Sequence, residues 1–143
     1  MRKSYSVDLS ALQQLAERNY AAMLGLLPAT LNVGDGQQIH VGEQLSYQLQ
    51  VTDSARFTTD VKIRQVKPEA GWLSATIEVR LYHDVRMAEV IGNQGIRRLQ
   101  ARYQQPNPAM HQADEKHQVN RFLRDWLTLC QRMGRSNVAL AFN

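Results

Sequence analysis

Hydrophobic residues recur with the period of an α-helix near both ends of the chain. Near the start, apolar residues at helical spacing begin at Leu9 and stop at Pro28, which predicts an amphipathic helix over residues 8–27. Near the end, a second apolar stripe predicts a helix over residues 114–133. The residues of this second stripe are Val119, Phe122, Leu123, Trp126, Leu127, Cys130 and Met133.

Between the two helices the hydrophobic period changes to two, which is typical of strands with one buried face. Short turns separate the alternating stretches, so the pattern predicts an antiparallel meander over residues 44–103. Residues 137–142 alternate in the same way and could add an edge strand. The strands predicted within the meander are residues 45–52, 57–64, 73–81, 87–91 and 96–103.

Each predicted strand has one apolar face and each predicted helix has one apolar stripe. The simplest way to bury all of these surfaces is to place both helices on the same face of the sheet. The sequence therefore predicts an α+β fold in which a sheet of about five strands packs against an N-terminal and a C-terminal helix. No repeat or change of composition divides the chain, so we expect residues 1–143 to form a single domain.

Composition and charge narrow the classes of protein that the chain can belong to. The net charge of +4 is compatible with an acidic partner but does not by itself indicate nucleic acid. No apolar run approaches the length of about 20 residues that a membrane-spanning helix needs. The basic start has no apolar segment after it, so we expect no signal peptide. A lone cysteine, Cys130, fits a reducing compartment, and we expect a cytoplasmic protein without cofactors.

The start of the second helix combines core and charged positions. On a helical wheel, Glu115 falls on the axis of the apolar stripe, and Lys116 and Asn120 fall on its edge. Such groups form a structural ion pair at the edge of the core, or they line a ligand site where helix and sheet meet. The residues expected to gather there are Arg80, Tyr82, His83, Arg102, Tyr103, Asp114, Glu115, Lys116 and Asn120.

Several sequence motifs occur in an order that resembles a known family. They are Val-Arg-Leu-Tyr-His-Asp at 79–84, Met-Ala-Glu-Val at 87–90, Ala-Arg-Tyr-Gln-Gln-Pro-Asn at 101–107 and the segment 111–127, with Arg-Phe-Thr-Thr at 56–59. Together they resemble the YqiB-like family of small proteobacterial proteins. The resemblance implies a cytoplasmic protein of unknown function, and it supplies no activity and no catalytic residue.

Histidines and carboxylates invite catalytic or metal-binding interpretations. His111, Asp114 and His117 would fan over about 120° of a helix, which is unsuitable for one metal ion, so we expect no metal site. His83 with Asp84 is either a turn between strands or a general base. No nucleophile motif and no glycine-rich phosphate loop is present, so the sequence favours a protein without catalytic residues.

The polar face of the sheet carries several cations: Lys62, Arg64, Arg80, Arg98 and Arg102. If their strands are neighbours, they form a basic patch; alternatively, Asp60 and Glu78 neutralise it. The leading hypothesis is a binding or regulatory module for an acidic protein or a small anionic ligand. The alternative is a small enzyme with Glu115 or His83 as general base and Lys116 or Arg102 holding the anion. Nucleic-acid binding is a third hypothesis, weakened by the lack of aromatic residues on that face.

Overall fold

The computed structural model describes residues 9–42, 45–66, 76–94 and 108–136, and for residues 94, 108–115 and 135–136 it describes the backbone alone. The described elements are, in chain order, α1 (Leu9–Leu26), β1 (Gly36–Val41), β2 (Leu45–Ser54), β3 (Thr58–Val66), β4 (Thr76–Tyr82), β5 (Met87–Gln94), α2 (Pro108–Met133) and β6 (Gly134–Ser136).

The described strands form one antiparallel sheet with the order β5-β4-β3-β2-β1-β6. Strands β1 to β5 are a meander, in which each strand pairs with the next along the chain. The short strand β6 follows α2 directly and pairs with the outer edge of β1. The alternation of side chains places aliphatic residues of neighbouring strands side by side, such as Leu49, Ile63 and Ile77. All three are buried, so this face of the sheet forms the core.

Both helices cover the apolar face of the sheet. From α1, Tyr20 and Met23 enter the same buried cluster as the strand residues. From α2, Leu123 and Leu127 do so, and the ring of Trp126 packs edge-on against Tyr47 of β2, 5.2 Å away between ring centres. The helices also contact each other, so the core has a helical layer on one side and the sheet on the other. The opposite face of the sheet carries the polar side chains.

The predicted α+β class, with an antiparallel sheet and two terminal helices packed on it, is confirmed. The predicted start of the sheet at residue 44 is wrong, because β1 (Gly36–Val41) precedes it and pairs with β2. The second helix begins at Pro108 and not at residue 114, since a proline at the first helical position lacks only an N–H that would be unpaired there. The predicted strand 96–103 and the predicted edge strand 137–142 lie outside the described residues.

Glycine meets a steric requirement where the chain leaves α2. A Cβ atom on Gly134 would clash with the main-chain oxygen of Cys130 and lie 3.0 Å from Cγ2 of Ile39. Glycine therefore lets β6 pass close to both α2 and β1. Within the described part of the chain, neither helix has the length and hydropathy to cross a bilayer.

Candidate functional site

Three of the predicted site residues meet around one residue that the sequence analysis did not select, Glu89. Oε1 of Glu89 lies 2.9 Å from Nζ of Lys116, and Oε2 accepts a hydrogen bond of 2.5 Å from the hydroxyl of Tyr82. Tyr82 lies beside Arg80, which makes a bidentate pair with Asp60 at 2.8 and 3.0 Å. We call these five residues the sheet-edge network. The side chain of Lys116 thus reaches from α2 to the polar face of the sheet at its β5 edge.

The electrostatics of the sheet-edge network are those of a closed set of opposite charges. Although burial alone would raise the pKa of Glu89, the hydrogen bonds from Tyr82 and Lys116 and the charge of Lys116 outweigh it and lower this pKa. The same bond to Glu89, together with burial, raises the pKa of Tyr82. The hydrogen bond and the charge of Asp60 raise the pKa of Arg80. At neutral pH each cation therefore has a carboxylate next to it.

The lowered pKa of Glu89 predicts acid-sensitive stability. A carboxylate whose pKa is lower in the folded than in the unfolded chain stabilises the fold above the unfolded value, and loses that effect as the pH falls through the folded value. We expect Glu89→Gln to reduce stability at pH 7 and to flatten the loss of stability below about pH 4. Urea denaturation midpoints, measured at pH 7 and at several values below about pH 4, test both expectations. Glu78→Gln, which removes an exposed carboxylate of β4, is the control. Its stability should fall with decreasing pH as steeply as that of the wild type.

Two other predicted site residues lie on the core side of the sheet. His83 stands between two hydroxyl groups, with Nδ1 3.0 Å from the Tyr20 hydroxyl and Nε2 2.7 Å from Oγ1 of Thr59. Asn120 is buried; its Oδ1 accepts the N–H of Val90 at 2.9 Å. Both residues thus bridge elements of the fold. Arg102 and Tyr103 lie outside the described residues, as do the side chains of Asp114 and Glu115.

The polar face of the sheet is nearly neutral where it is described. Lys62 stands opposite Glu78 in the neighbouring strand, and Arg64 makes two hydrogen bonds to Oε1 of Gln48, at 2.9 and 3.2 Å. With Arg80 held by Asp60, the described cations of this face have anionic or polar neighbours. Arg98 and Arg102 lie outside the described residues. The described part of the face therefore resembles the neutralised alternative more than the basic patch.

A second group of basic residues lines a groove of about 300 Å³ between α1 and α2. Four α1 residues on one helical face and three α2 residues line it. They are Ala11, Gln14, Leu15 and Arg18 from α1, and His117, Arg121 and Arg124 from α2. We call this the helix groove. Its described lining has three guanidinium groups, an imidazole and no carboxylate.

Two of the three arginines of the helix groove are available to a ligand. Arg124 hydrogen-bonds the carboxylate of its neighbour Asp125 at 3.0 Å. Arg18 and Arg121 are exposed, and neither makes a hydrogen bond or ion pair within the described part of the chain. Because they belong to different helices that share one groove, an anion bound there could accept hydrogen bonds from both.

The sequence analysis did not select Arg121 and Arg124, which lie on the face of the second helix opposite its apolar stripe. It did not pair that face with Arg18, which is more than 100 positions earlier in the chain. The available signal was the helical spacing of Ala11, Leu15 and Arg18 on one side and of His117, Arg121 and Arg124 on the other. Which two helical faces adjoin depends on the packing of the helices, which spacing alone does not reveal.

The lone cysteine is unsuited to nucleophilic chemistry. Cys130 is 2% exposed, and burial raises the pKa of its thiol to about 12. At neutral pH it is therefore protonated, and only the thiolate is a strong nucleophile. Among the described residues, no three histidine, cysteine, aspartate or glutamate side chains are grouped as metal ligands would be.

Comparison with known proteins gives a family without an assigned activity. A family of proteins of unknown function, DUF1249, matches residues 22–136 of the chain. The uncharacterized protein YqiB of Escherichia coli strain K12 is 41% identical over 133 residues, which cover 92% of this chain and 94% of that protein. The YqiB proteins of strains CFT073 and O157:H7 have the same identity and coverage. No solved structure matches. The chain therefore belongs to the DUF1249 family, as its resemblance to YqiB-like proteins implied.

Proposed function

We propose that the protein is a non-catalytic binding module for a small anionic ligand, and that the ligand binds in the helix groove. One observation carries the proposal: Arg18 and Arg121 face the same groove from two helices, and no described carboxylate lines it. Guanidinium groups bind phosphates and carboxylates through paired hydrogen bonds. The volume of about 300 Å³ is at the lower end of the range for small-molecule sites.

The helix groove is a better candidate than the sheet-edge network for energetic reasons. In the network, an incoming anion would compete with Asp60 for Arg80 and with Glu89 for Lys116. Each ion pair that the anion formed there would replace an existing ion pair within the protein. In the helix groove, Arg18 and Arg121 exchange only water for the ligand, so a charge-assisted hydrogen bond can contribute its net value of about 1.5–3 kcal/mol.

The enzyme alternative has less support from the described residues. A general base needs a lone pair directed at the substrate. In His83, both ring nitrogens are within hydrogen-bonding distance of Tyr20 and Thr59, and Tyr20 and Thr59 are themselves buried. The geometry therefore assigns the imidazole to the link between α1, β3 and the β4–β5 connection.

We also propose a reducing, cytoplasmic location. Its support is the lone cysteine of the chain, whose thiol is buried and protonated. Fractionation of cells that produce the tagged protein tests this proposal. Recovery with membranes or outside the cytoplasm would contradict it.

The ligand proposal is tested by calorimetric titration with inorganic pyrophosphate. We expect binding to the wild type and an affinity at least tenfold lower for Arg121→Glu, because one charge-assisted hydrogen bond of about 1.5 kcal/mol corresponds to a factor of about 10. Arg132→Glu is the matched control, since it makes the same change of charge at an exposed position of α2 outside the groove. It should bind nearly as the wild type does.

Two results would overturn the ligand proposal. One is the absence of pyrophosphate binding to the wild type. The other is an equal loss in Arg121→Glu and Arg132→Glu, which would mean that the ligand senses only the net charge of the protein. A stronger effect of Arg18→Glu than of Arg132→Glu would independently place the ligand between the two helices.

A further inference from the structure

A second surface lies at the end of the sheet, where two chain connections run side by side. The β2–β3 connection carries Arg56 and Phe57, and the β4–β5 connection carries Val85 and Arg86. The main-chain N–H of His83 donates to the oxygen of Phe57 at 2.8 Å, which holds the two connections together. We call Arg56, Phe57, Val85 and Arg86 the loop tip.

The loop tip exposes apolar side chains next to cations. Phe57 and Val85 are each 53% exposed, although both are large hydrophobic residues. The guanidinium carbon of Arg56 lies 5.1 Å from the centre of the Phe57 ring, within the range of a cation–π contact. Exposed aromatic residues and arginines are the residue types that are enriched in protein–protein interfaces.

The position of Arg86 is held by a contact with α1. Its guanidinium carbon lies 5.2 Å from the centre of the buried Tyr20 ring. Its backbone has φ 58°, in the left-handed region that glycine adopts at little cost and that costs other residues about 1 kcal/mol or more. Arg86 thus occupies a backbone conformation that glycine would adopt at a lower cost in free energy, and its guanidinium group lies over a buried ring. The loop tip therefore has a cation of defined position.

Within the described residues, neither Arg56 nor Arg86 forms an ion pair with a carboxylate. Oδ1 of Asp84, between Val85 and the sheet, accepts the N–H of Val85 at 3.0 Å. Asp53 pairs in register with Asp60 and therefore belongs to the polar face of the sheet. The tip thus combines two cations with two exposed apolar residues.

We propose that the loop tip docks an acidic segment of a partner protein. Carboxylates of the segment pair with Arg56 and Arg86, and an apolar side chain of the segment packs on Phe57 and Val85. This chemistry favours a protein over single-stranded nucleic acid, because stacking of bases needs free aromatic faces and Arg56 already covers one face of the tip's single phenylalanine. The proposal goes beyond the helix groove and does not depend on it.

Peptide display tests the docking proposal. A library of random dodecapeptides is selected on the wild type and counter-selected on the double variant Phe57→Ser/Arg86→Gly. We expect the surviving peptides to combine aspartate or glutamate with an apolar residue. Their affinity, measured by fluorescence anisotropy, should fall at least tenfold for Arg86→Gly alone. Glycine fits the backbone at position 86, so this variant should fold, and circular dichroism checks that it does.

Two control variants separate this proposal from the other. Val33→Ser changes a side chain that is 62% exposed outside the tip, and Arg121→Glu removes the groove cation. Both should bind the selected peptides within about twofold of the wild type, whereas only Arg121→Glu should lose pyrophosphate. The docking proposal is overturned by the absence of enriched peptides, by enrichment without acidic residues, or by unchanged binding to Arg86→Gly. It is also overturned if a thymidine dodecanucleotide binds at the tip and no acidic peptide does.

Discussion

Replacing Asn120 with alanine is expected to lower the free energy of unfolding by about 3 kcal/mol, through one unsatisfied buried donor and a small cavity. Oδ1 of Asn120 accepts the N–H of Val90, on the side of β5 that faces away from β4. Nδ2 donates to the main-chain oxygen of Lys116 one turn earlier in α2, at 2.8 Å. Asn120 is 6% exposed, so water cannot readily replace these bonds. The side chain therefore fixes the position of α2 against the edge of β5.

Urea denaturation measures the loss of stability, and hydrogen exchange locates it. The amide of Val90 should exchange faster in Asn120→Ala than a general loss of stability explains, since its acceptor is gone. Thr128→Ala is the control: Oγ1 of Thr128 also donates to a main-chain oxygen of α2, that of Arg124, but the residue is exposed. The control should stay within about 0.5 kcal/mol of the wild type. Equal effects of the two substitutions would show that the link between α2 and β5 contributes little.

The hydrogen bonds of Asn120 show which part of the structure the sequence pattern predicts and which part depends on tertiary packing. The helical wheel placed Asn120 at the edge of the apolar stripe, where a polar group is either a ligand contact or a buried structural bond. The packing of α2 beside β5 decides between these two roles. The group that Asn120 binds is the main-chain N–H of Val90, and the sequence does not show which main-chain groups are left unpaired. Asn19 of α1 adds to the same link by donating to the main-chain oxygen of Asn120 at 3.1 Å.

Strands were predictable where enough apolar residues alternate. On the core face, the alternation runs over three or more positions in each of β2, β3 and β4, so period two is evident. These positions are Tyr47, Leu49 and Val51 in β2, Thr59, Val61 and Ile63 in β3, and Ile77, Val79 and Leu81 in β4. β1 has only Ile39 and Val41 there, among glutamines and a histidine, and its pairing with β2 on one side and β6 on the other stabilises it. The pairing with β6 is remote in sequence, and a local pattern does not contain it.

The candidate sites divide in the same way. Arg80, Tyr82 and Lys116 were selected together from the sequence, because alternation places the first two on the polar face of one strand and the helical wheel places Lys116 at the edge of the apolar stripe of α2. Glu89, which links two of them, lies on the strand predicted at residues 87–91 but was not selected. The helix groove needed the contact between α1 and α2, which depends on tertiary packing.

Helix α1 connects the two proposed binding surfaces. Arg18 lines the helix groove. The ring of Tyr20, two positions later, contacts the guanidinium group of Arg86 in the loop tip. Between them, Asn19 is bonded to α2. A ligand that drew Arg18 and Arg121 together would therefore act on the helix that also supports the tip. Such an arrangement would suit a regulatory module, in which binding of a small anion alters the docking of a partner.

The second large effect is expected at the junction of α2 and β6, where Gly134→Ala should cost about 3 kcal/mol, the upper part of the usual range for overpacking. The new Cβ would clash with the main-chain oxygen of Cys130, and the Cγ2 atom of Ile39 would be 3.0 Å away. Ile39 is 1% exposed and Cys130 is in the last turn of α2, so neither can yield without moving the core. The strain should separate β6 from β1, with faster hydrogen exchange along β1.

A second glycine provides the matched control for this substitution. Gly25 is the last residue but one of α1, and a Cβ placed there meets no atom within 4 Å. Because alanine is favoured over glycine in a helix by about 0.5–1 kcal/mol, Gly25→Ala should raise the urea midpoint while Gly134→Ala lowers it. The same chemical change is thus expected to have opposite signs at two positions. If both variants were more stable than the wild type, the added methyl group would fit at position 134. The junction of α2 and β6 would then be less closely packed than the contacts of Gly134 imply.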